Sequence, residues 1–356
     1  MQTEETVFLT GFPGFIASRL LRRLAGEAGR FLLLVQPPFA ERAQEELKNI
    51  AAQAERSVSD FAILPGDISQ PNLGLSPADL ETARSHATVL FHLAAIYDLA
   101  VAREVAMRVN LEGTRNINQF AGSLPHLRHY HYVSTCYVAG KRKGVIYENE
   151  LQHDAGFRNY YEETKYLAEM EVDKLKSELP ITIHRPAVVC GDSHTGETAK
   201  YDGIYYLIHY LLKWPSLLSV FNIGNSEVTL NLVPVDFVVD AISALARDPL
   251  SVGKTVQLAD PNPLTTGELF NTIAHSMEGK EARITLPAPL VKTSLMLPLS
   301  PKITGLPHSA VPYFFLKQTY DTAQATELLA PHGISCPPFE SYVKTIVHYA
   351  ALHPTL

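Results

Sequence analysis

The stretch TVFLTGFPGFIASRLLRRLAG, residues 6–26, decides the fold. Its first five residues form a short apolar run that predicts a buried β-strand. Gly11 and Gly14 follow in a G-x-x-G-x-x-A pattern that ends at Ala17. Gly11 permits a tight turn, Gly14 lets the backbone approach a pyrophosphate at the start of a helix, and Ala17 allows close helix–strand packing. The pattern predicts a dinucleotide-binding loop; the alternative is an ordinary strand–helix turn.

The rest of the first 190 residues alternates between strand-like and helix-like segments. Short, continuous apolar strands separated by helices indicate a parallel sheet that is covered on both faces. The predicted fold is therefore α/β, a Rossmann doubly wound parallel sheet. The predicted strands are TVFLT (6–10), FLLLV (31–35), FAILPGD (61–67), ATVLFHLAA (87–95), HYHYVST (129–135) and ITIHRPAVV (181–189).

The rhythm changes after about residue 190. Aromatic residues and leucines crowd IYYLIHYLLKWPSLLSVF (204–221), and proline-rich connections interrupt shorter elements from about 261 onward. We expect a dinucleotide-binding domain of residues 1–190, to which 228–260 return. Residues 191–227 and 261–356 would then form a smaller, mostly helical substrate lobe.

Composition narrows the class of protein. The 356 residues carry a formal charge of −7, which gives no electrostatic support for nucleic-acid binding. Three scattered cysteines (Cys136, Cys190 and Cys336) suit a reducing compartment. The acidic N-terminus runs into a strand rather than a signal peptide, and no uncharged apolar run reaches the ~20 residues that span a bilayer. A cytoplasmic protein without a membrane span is expected.

Two tyrosines precede a lysine in NYYEETKYLAEMEV, residues 159–172. Positions four apart share a helix face, so Tyr161 and Lys165 can meet in one site while Tyr160 points about 100° away. His129 and His131 would share a strand face, but a metal site needs a further ligand, and no metal is expected.

Seven motifs occur in the order found in one family. Together they resemble the extended short-chain dehydrogenase/reductases (epimerase-like), and within them the thioester-reductase and fatty-acyl-reductase (male-sterility-like) branch. The resemblance covers roughly residues 5–260. After the glycine loop the motifs are PGDISQPNLGLSPADL (65–80), FHLAAIYDL (91–99), VNLEGTRNI (109–117), YVSTCYVAG (132–140), YEETK (161–165), HRPAVVCGDSHTG (184–196) and NLVPVDFVVDAI (231–242).

The resemblance implies catalytic roles for Thr135, Tyr161 and Lys165. Tyr161 would donate a proton to the substrate oxygen as hydride arrives, Thr135 would give that oxygen a second hydrogen bond, and Lys165 would hold the nicotinamide ribose. Ser134 is the less favoured neighbour because alternate strand residues face opposite sides. Asn110 would position a helix, and His92 would be structural.

The resemblance also implies a set of cofactor contacts. The expected residues are Thr10, Gly11, Phe12, Pro13, Gly14, Phe15, Ile16, Gln36, Arg42, Asp67, Ile68, Ala94, Ala95, Tyr161, Lys165, Pro186 and Val188. Gln36 follows the second strand, where an NAD site usually offers Asp or Glu to the ribose 2′-hydroxyl. Gln36 would not repel a 2′-phosphate, and Arg19 or Arg42 could approach it. NADPH is therefore favoured, with NAD as the alternative.

The expected activity is reduction of a hydrophobic carbonyl: an acyl thioester to aldehyde or alcohol, or an aldehyde or ketone. The alternatives are a nucleotide-sugar epimerase or dehydratase with tightly bound NAD, and a non-catalytic NADP-binding redox sensor. A thioester substrate would come bound to a carrier or free, and a homodimer is left open. Cys136 has no matched histidine that would make it a nucleophile. An acyl channel would be lined by Tyr205, Tyr206, Leu207, Tyr210, Leu211 and Trp214; the alternative is plain helix core.

Overall fold

A seven-stranded parallel sheet forms the centre of the protein, which is described from a computed structural model. The structure describes residues 5–27, 29–213, 221–279, 282 and 284–355. The strand order β11-β7-β5-β4-β1-β2-β3 confirms the Rossmann-like α/β fold. The strands are β1 Thr6–Thr10, β2 Arg30–Val35, β3 Phe61–Pro65, β4 Val89–His92, β5 His129–Val133, β6 Gly144–Ile146, β7 Ile181–Pro186, β8 Val188–Cys190, β9 Phe221–Asn222, β10 Leu232–Pro234, β11 Thr255–Leu258, β12 Ile284–Thr285 and β13 Gln318–Tyr320.

Helices cover both faces of this sheet. A π-helical segment, Met107–Glu112, joins α4 to α5 without a break. The helices are α1 Phe15–Ala25, α2 Ala40–Gln53, α3 Pro77–His86, α4 Arg103–Ala106, α5 Gly113–Gly122, α6 Tyr160–Lys174, α7 Tyr205–Lys213, α8 Val235–Leu245, α9 Thr266–Glu278, α10 Ala288–Leu295, α11 Ser300–Thr304, α12 Ala323–Leu329 and α13 Phe339–Leu352.

The strands are buried on both sides because successive side chains enter opposite cores. Leu9 and Leu33 belong to the apolar cluster on one face, whereas Phe8 and Leu32 belong to the cluster on the other. The same residues are paired in register between β1 and β2. The strand order reverses between β1 and β4, which opens a crevice at the carboxyl ends of these strands.

The predicted sixth strand, 181–189, is two strands in the structure. β7 pairs in the main sheet as far as Pro186, opposite Leu258, and β8 pairs with β10 in a separate two-stranded sheet. The chain turns away at Ala187, whose amide still donates to the Leu258 carbonyl (3.0 Å). The seventh strand of the main sheet is β11, which lies within the segment expected to return to the sheet.

Most of the C-terminal region packs separately from the sheet. Helices α7, α9 and α13 share a third apolar cluster that includes Phe270 and Ile346. However, Leu328 and Leu329 of α12 join the first sheet cluster. Helix α12 therefore packs on the sheet, although it lies within residues 261–356, which were expected to belong to the substrate lobe. Among the described residues, no helix is long and apolar enough to cross a membrane.

Candidate active site

The glycine loop at the end of β1 has the geometry that a pyrophosphate site needs. Gly11 has φ +94°, and a Cβ there would lie 2.9 Å from the Ala94 amide nitrogen. A Cβ on Gly14 would lie 2.6 Å from the Gly11 carbonyl oxygen, which accepts a hydrogen bond from the Gly14 amide at 2.7 Å. No side chain of the described residues caps α1, so the amides of Phe15 and Ile16 remain free for an anionic group. The loop therefore fits a dinucleotide.

Thr10 supports this loop from beneath rather than lining it. The Thr10 side chain is fully buried, and its Oγ1 lies 2.8 Å from His92 Nδ1. The same oxygen accepts hydrogen bonds from the amides of Leu93 and Ala94, at 3.2 and 3.1 Å. The Thr10 hydroxyl thus joins the ends of β1 and β4, and the expected cofactor contact of Thr10 stays a prediction.

Three further expected cofactor residues place their side chains away from the crevice. Phe12 belongs to one sheet cluster, Ile68 belongs to the other, and Pro13 is buried. The Ile68 carbonyl is also taken by Asn116 Nδ2 at 2.7 Å. The cofactor contacts expected of these residues stay predictions.

Two of the expected cofactor residues follow β2 in the chain. Gln36 is half-buried before a short 3₁₀ turn, Pro37–Phe39, and Arg42 is exposed in the first turn of α2. Arg42 has no ion-pair partner in the described part of the chain. Arg19 instead pairs with Asp192 and Glu197, both at 2.9 Å, so of the two expected arginines Arg42 is the available one.

Helix α6 begins where the tyrosine–lysine pair requires it. Asn159 caps the helix, its Oδ1 accepting from the Glu162 amide at 3.0 Å. Tyr161 is 7% exposed and Lys165 3%, whereas Tyr160 is 44% exposed. The two residues four apart therefore share the buried face of the helix, as their spacing indicates.

The Tyr161 phenol meets Thr135 at the carboxyl end of β5. Burial raises the pKa of Tyr161, and a hydrogen bond with Thr135 lowers it in part. The Thr135 hydroxyl also accepts from the Tyr137 amide at 3.2 Å. Its neighbour Ser134 faces the other way and donates to Glu169. The geometry thus brings Thr135 to Tyr161 and leaves Ser134 outside the site.

Lys165 is held in a buried polar pocket next to this pair. Its Nζ donates to the Val133 carbonyl at 2.8 Å and to the Tyr132 hydroxyl at 3.0 Å. Burial lowers the pKa of Lys165 to about 7, and the charge of Glu169 opposes the shift. Within the described residues no hydrogen bond joins Lys165 to Tyr161.

A buried chain of polar groups connects Lys165 to the glycine loop. Tyr132, which holds Lys165, hydrogen bonds to Thr114, and Thr114 Oγ1 lies 3.1 Å from His92 Nε2. His92 in turn contacts Thr10, so its expected structural role agrees with its position. The sequence analysis missed Tyr132 and Thr114. Their signal is weak, because each is one polar residue in an otherwise ordinary strand or helix.

Asn110 positions the loop that follows β4. Its Oδ1 accepts from the Ile96 amide at 2.8 Å, and its Nδ2 donates to Thr164 of α6 at 3.1 Å. Tyr97, which follows Ile96, contacts the Tyr161 ring edge-on, with the two ring centroids 5.1 Å apart. Tyr97 also hydrogen bonds to Asp202, whose pKa burial raises. Sequence reasoning gave no signal for Tyr97 or Asp202.

An apolar pocket is lined in part by helix α7. Of the six residues expected to line an acyl channel, Tyr206, Leu207 and Tyr210 line this pocket. Tyr205 and Leu211 lie instead in the third apolar cluster, and Trp214 falls outside the described residues. The remaining wall comes from Ile223, Gly224, Thr266, Leu295, Thr304, Leu306, Phe314 and Phe315. Tyr206 of the pocket wall and Leu99, two residues after Tyr97, pack against the same apolar cluster.

His129, His131 and His184, here called the histidine cluster, form a separate group inside the sheet. His131 Nδ1 lies 3.1 Å from His184 Nε2, and His129 Nε2 lies 2.8 Å from Thr182 Oγ1. Burial lowers the pKa of His129 to about 4, that of His184 to about 3, and that of His131 well below its usual value. No grouping suited to a metal ion occurs in the part of the chain that the structure describes.

Comparison with known proteins gives the same family from several directions. Residues 9–242 match the family model described as male sterility protein. Fatty acyl-CoA reductase wat of Drosophila melanogaster is 27% identical over 282 residues, covering 69% of this chain and 54% of that protein. Glycine betaine reductase ATRR of Emericella nidulans is 25% identical over 283 residues, covering 76% of this chain and 22% of that protein. The chain thus spans about half, or less, of the length of these relatives.

Solved structures extend the likeness to the whole chain. The terminal R domain from the myxalamid PKS-NRPS biosynthetic pathway has a TM-score of 0.83 and 25% identity, covering 100% of this chain and 93% of that domain. UDP-glucuronic acid 4-epimerase from Bacillus cereus, solved with NAD, has a TM-score of 0.66 and 20% identity, covering 98% of both chains. The second likeness shows the fold alone.

Proposed function

Because this chain belongs to the male sterility protein family, within the extended short-chain dehydrogenase/reductases of thioester-reductase type, we propose that it reduces a hydrophobic carbonyl with hydride from NAD(P)H. The proposed substrate is an acyl thioester, with the matching aldehyde or a ketone second. The observation that carries the proposal is the buried Tyr161 phenol that meets Thr135, in a protein whose substrate lobe holds a pocket lined largely by apolar residues.

The chain's own groups suit the chemistry of this reduction. A bound nicotinamide dinucleotide supplies the hydride. Burial keeps Tyr161 protonated at neutral pH, so its phenol can donate a proton to the carbonyl oxygen as negative charge develops there. The Thr135 hydroxyl gives the same oxygen a second hydrogen bond. Lys165 shares the buried helix face with Tyr161, and in its protonated form its amine would stabilise the tyrosinate left after transfer.

With a thioester, hydride addition produces a hemithioacetal that expels thiol and leaves an aldehyde. The same two hydrogen bonds would serve the aldehyde in a second reduction, so the catalytic residues do not select the substrate. We propose that the selection comes from the apolar pocket, whose described lining carries no charged side chain to hold a sugar diphosphate.

The cofactor is proposed to be NADPH rather than NADH. Gln36 presents no carboxylate to a 2′-phosphate, and exposed Arg42 stands six residues further on without an ion-pair partner among the described residues. We further propose that 1–190 with 228–260 form the cofactor domain, that 191–227 and most of 261–356 form the substrate lobe, and that α12 belongs to the former. The relatives are longer than this chain, and we propose that the thioester substrate is either free or bound to a carrier.

The second candidate is a nucleotide-sugar epimerase that keeps NAD bound, which the likeness to UDP-glucuronic acid 4-epimerase favours at the level of fold. The deciding assay measures NADPH consumption with acyl-CoA thioesters of increasing chain length, the matching aldehydes and nucleotide sugars. We expect long acyl chains to be preferred. Leu306→Trp, which fills the pocket, should remove that preference while leaving short substrates active. Turnover of a nucleotide sugar without net NADPH loss, and silence on every acyl compound, would replace the reductase with the epimerase.

A further inference from the structure

Residues 284–320 differ in charge from the rest of the protein. The chain as a whole has a formal charge of −7, yet this segment contains no aspartate or glutamate and three lysines, Lys292, Lys302 and Lys317. Lys317 is paired with Glu227 at 2.6 Å. Lys292 and Lys302 are exposed and form no ion pair within the described part of the chain. The surface they occupy is therefore locally positive.

Large apolar side chains stand out from the same surface. Met296, Leu297 and Leu299 are 51%, 56% and 63% exposed, and the intervening Pro298 is exposed as well. These four consecutive residues form the turn between α10 and α11, and we call them the apolar turn. A run of this length outside the core indicates a function, because exposed consecutive apolar residues cost solubility.

Folding of the lobe does not account for this exposure. Helix α10 buries Val291 and Leu295 against Leu306 and Val311, so its inward face is complete. The apolar turn is an additional apolar surface that faces away from this cluster.

The apolar turn is flanked in the chain by residues that line the apolar pocket. Leu295, immediately before the turn, and Thr304 and Leu306, shortly after it, all line the pocket. The turn and the pocket wall are thus one continuous segment of chain. A long hydrocarbon chain that leaves a lipid layer at the turn would therefore meet a segment that also forms the pocket wall.

We propose that the apolar turn docks onto the surface of an anionic lipid bilayer. Its leucines and methionine would enter the boundary between headgroups and acyl chains, and Lys292 and Lys302 would meet the anionic headgroups. Protein interfaces are enriched in aromatic residues, methionine and arginine and depleted in lysine, whereas the exposed residues here are mainly leucine and lysine. The aromatic residues of the segment, Tyr313 to Phe315, are turned inward. The lipid surface is therefore the better match.

The test is sedimentation of the full chain with vesicles, which needs no substrate and so does not depend on the proposed reduction. Vesicles of neutral phosphatidylcholine are compared with vesicles that contain phosphatidylglycerol. The wild type should bind the anionic vesicles, and Leu297→Asp with Leu299→Asp should weaken binding about ten-fold or more. The matched control is Leu250→Asp. Leu250 is 70% exposed in the short helix Pro249–Ser251, outside the segment 284–320, so this substitution should leave vesicle binding unchanged.

Charge is tested separately from apolar insertion. Lys302→Glu should reduce the preference for anionic vesicles, whereas Lys254→Glu, at an exposed position next to β11, should not. Failure of the wild type to bind either vesicle would overturn the proposal, and so would equal loss in the Leu250 control. Two outcomes would assign the surface to a protein instead. One is a wild-type dimer that dissociates in the Leu297/Leu299 double variant, and the other is protection of the turn by an acyl carrier protein without vesicle binding.

Discussion

Replacing Lys165 with methionine is expected to stabilise the cofactor-free protein near neutral pH. Lys165 is 3% exposed, and burial lowers its pKa from the ordinary 10.5 to about 7. The unfolded chain therefore holds a proton that the folded chain gives up. The free energy of unfolding therefore decreases as the pH falls below about 10.5, and the decrease is complete below about pH 7. At about 1.4 kcal/mol per pH unit, the cost is roughly 4 kcal/mol at pH 7 and about 2 kcal/mol at pH 9.

Methionine has a similar length and helix propensity but no charge to desolvate. It also gives up the hydrogen bonds to Val133 and Tyr132, which together are worth about 2 kcal/mol. Lys165→Met should therefore be about 2 kcal/mol more stable than wild type at pH 7 and about equal to it at pH 9. The measurement is urea unfolding of both proteins at the two pH values.

The control is Lys174→Met on the same helix, where the lysine side chain is 63% exposed and lies 3.6 Å from Glu171. That substitution removes no buried charge and should show no comparable change with pH. If the difference between wild type and Lys165→Met were the same at pH 7 and pH 9, the reasoning on Lys165 desolvation would be refuted.

Three further outcomes follow from the same geometry. Tyr161→Phe should lower kcat about 10²-fold with cofactor affinity retained, since only the proton donor is lost, whereas exposed Tyr160→Phe should be nearly silent; the reverse order would contradict the assignment. Arg42→Ala should raise the Kd for NADPH more than that for NADH, and Lys48→Ala on the same helix should affect neither; equal effects would argue against a 2′-phosphate contact. Burial lowers the pKa values of the histidine cluster. Below about pH 6.5 these histidines therefore bind protons in the unfolded chain but not in the folded one. The free energy of unfolding should therefore fall by about 1.4 kcal/mol per pH unit per histidine, and a flat profile between pH 7 and 5 would contradict this.

The fold could be predicted from the sequence because its signals are local. Most strands of the sheet are short apolar runs, and the glycine loop marks the first strand–helix turn by a spacing that needs close backbone approach. The division at Ala187 could not be predicted in the same way. Nothing in ITIHRPAVV shows that β8 leaves the sheet to pair with β10, since that depends on a partner more than forty residues away.

The candidate site also has features that could be predicted from the sequence and features that could not. The Tyr161–Lys165 spacing and the strand alternation at Ser134 and Thr135 indicate the faces correctly, because both follow from the period of one element. Thr10 shows the limit of such reasoning. The sequence predicts a cofactor contact there, but it does not show that the hydroxyl contacts His92 of β4 and the amides of the two residues that follow this strand. Long-range hydrogen bonds of this kind leave no local pattern.

The most direct test of the central account follows the hydride itself. NADPH carrying deuterium at the reactive C4 position is incubated with a long-chain acyl-CoA, and the products are analysed by mass spectrometry together with the thiol released. The account predicts aldehyde or alcohol with deuterium at the former carbonyl carbon and one free thiol per thioester reduced. Label that stays in the dinucleotide with every acyl thioester and aldehyde, alongside epimerisation of a nucleotide sugar, would contradict it.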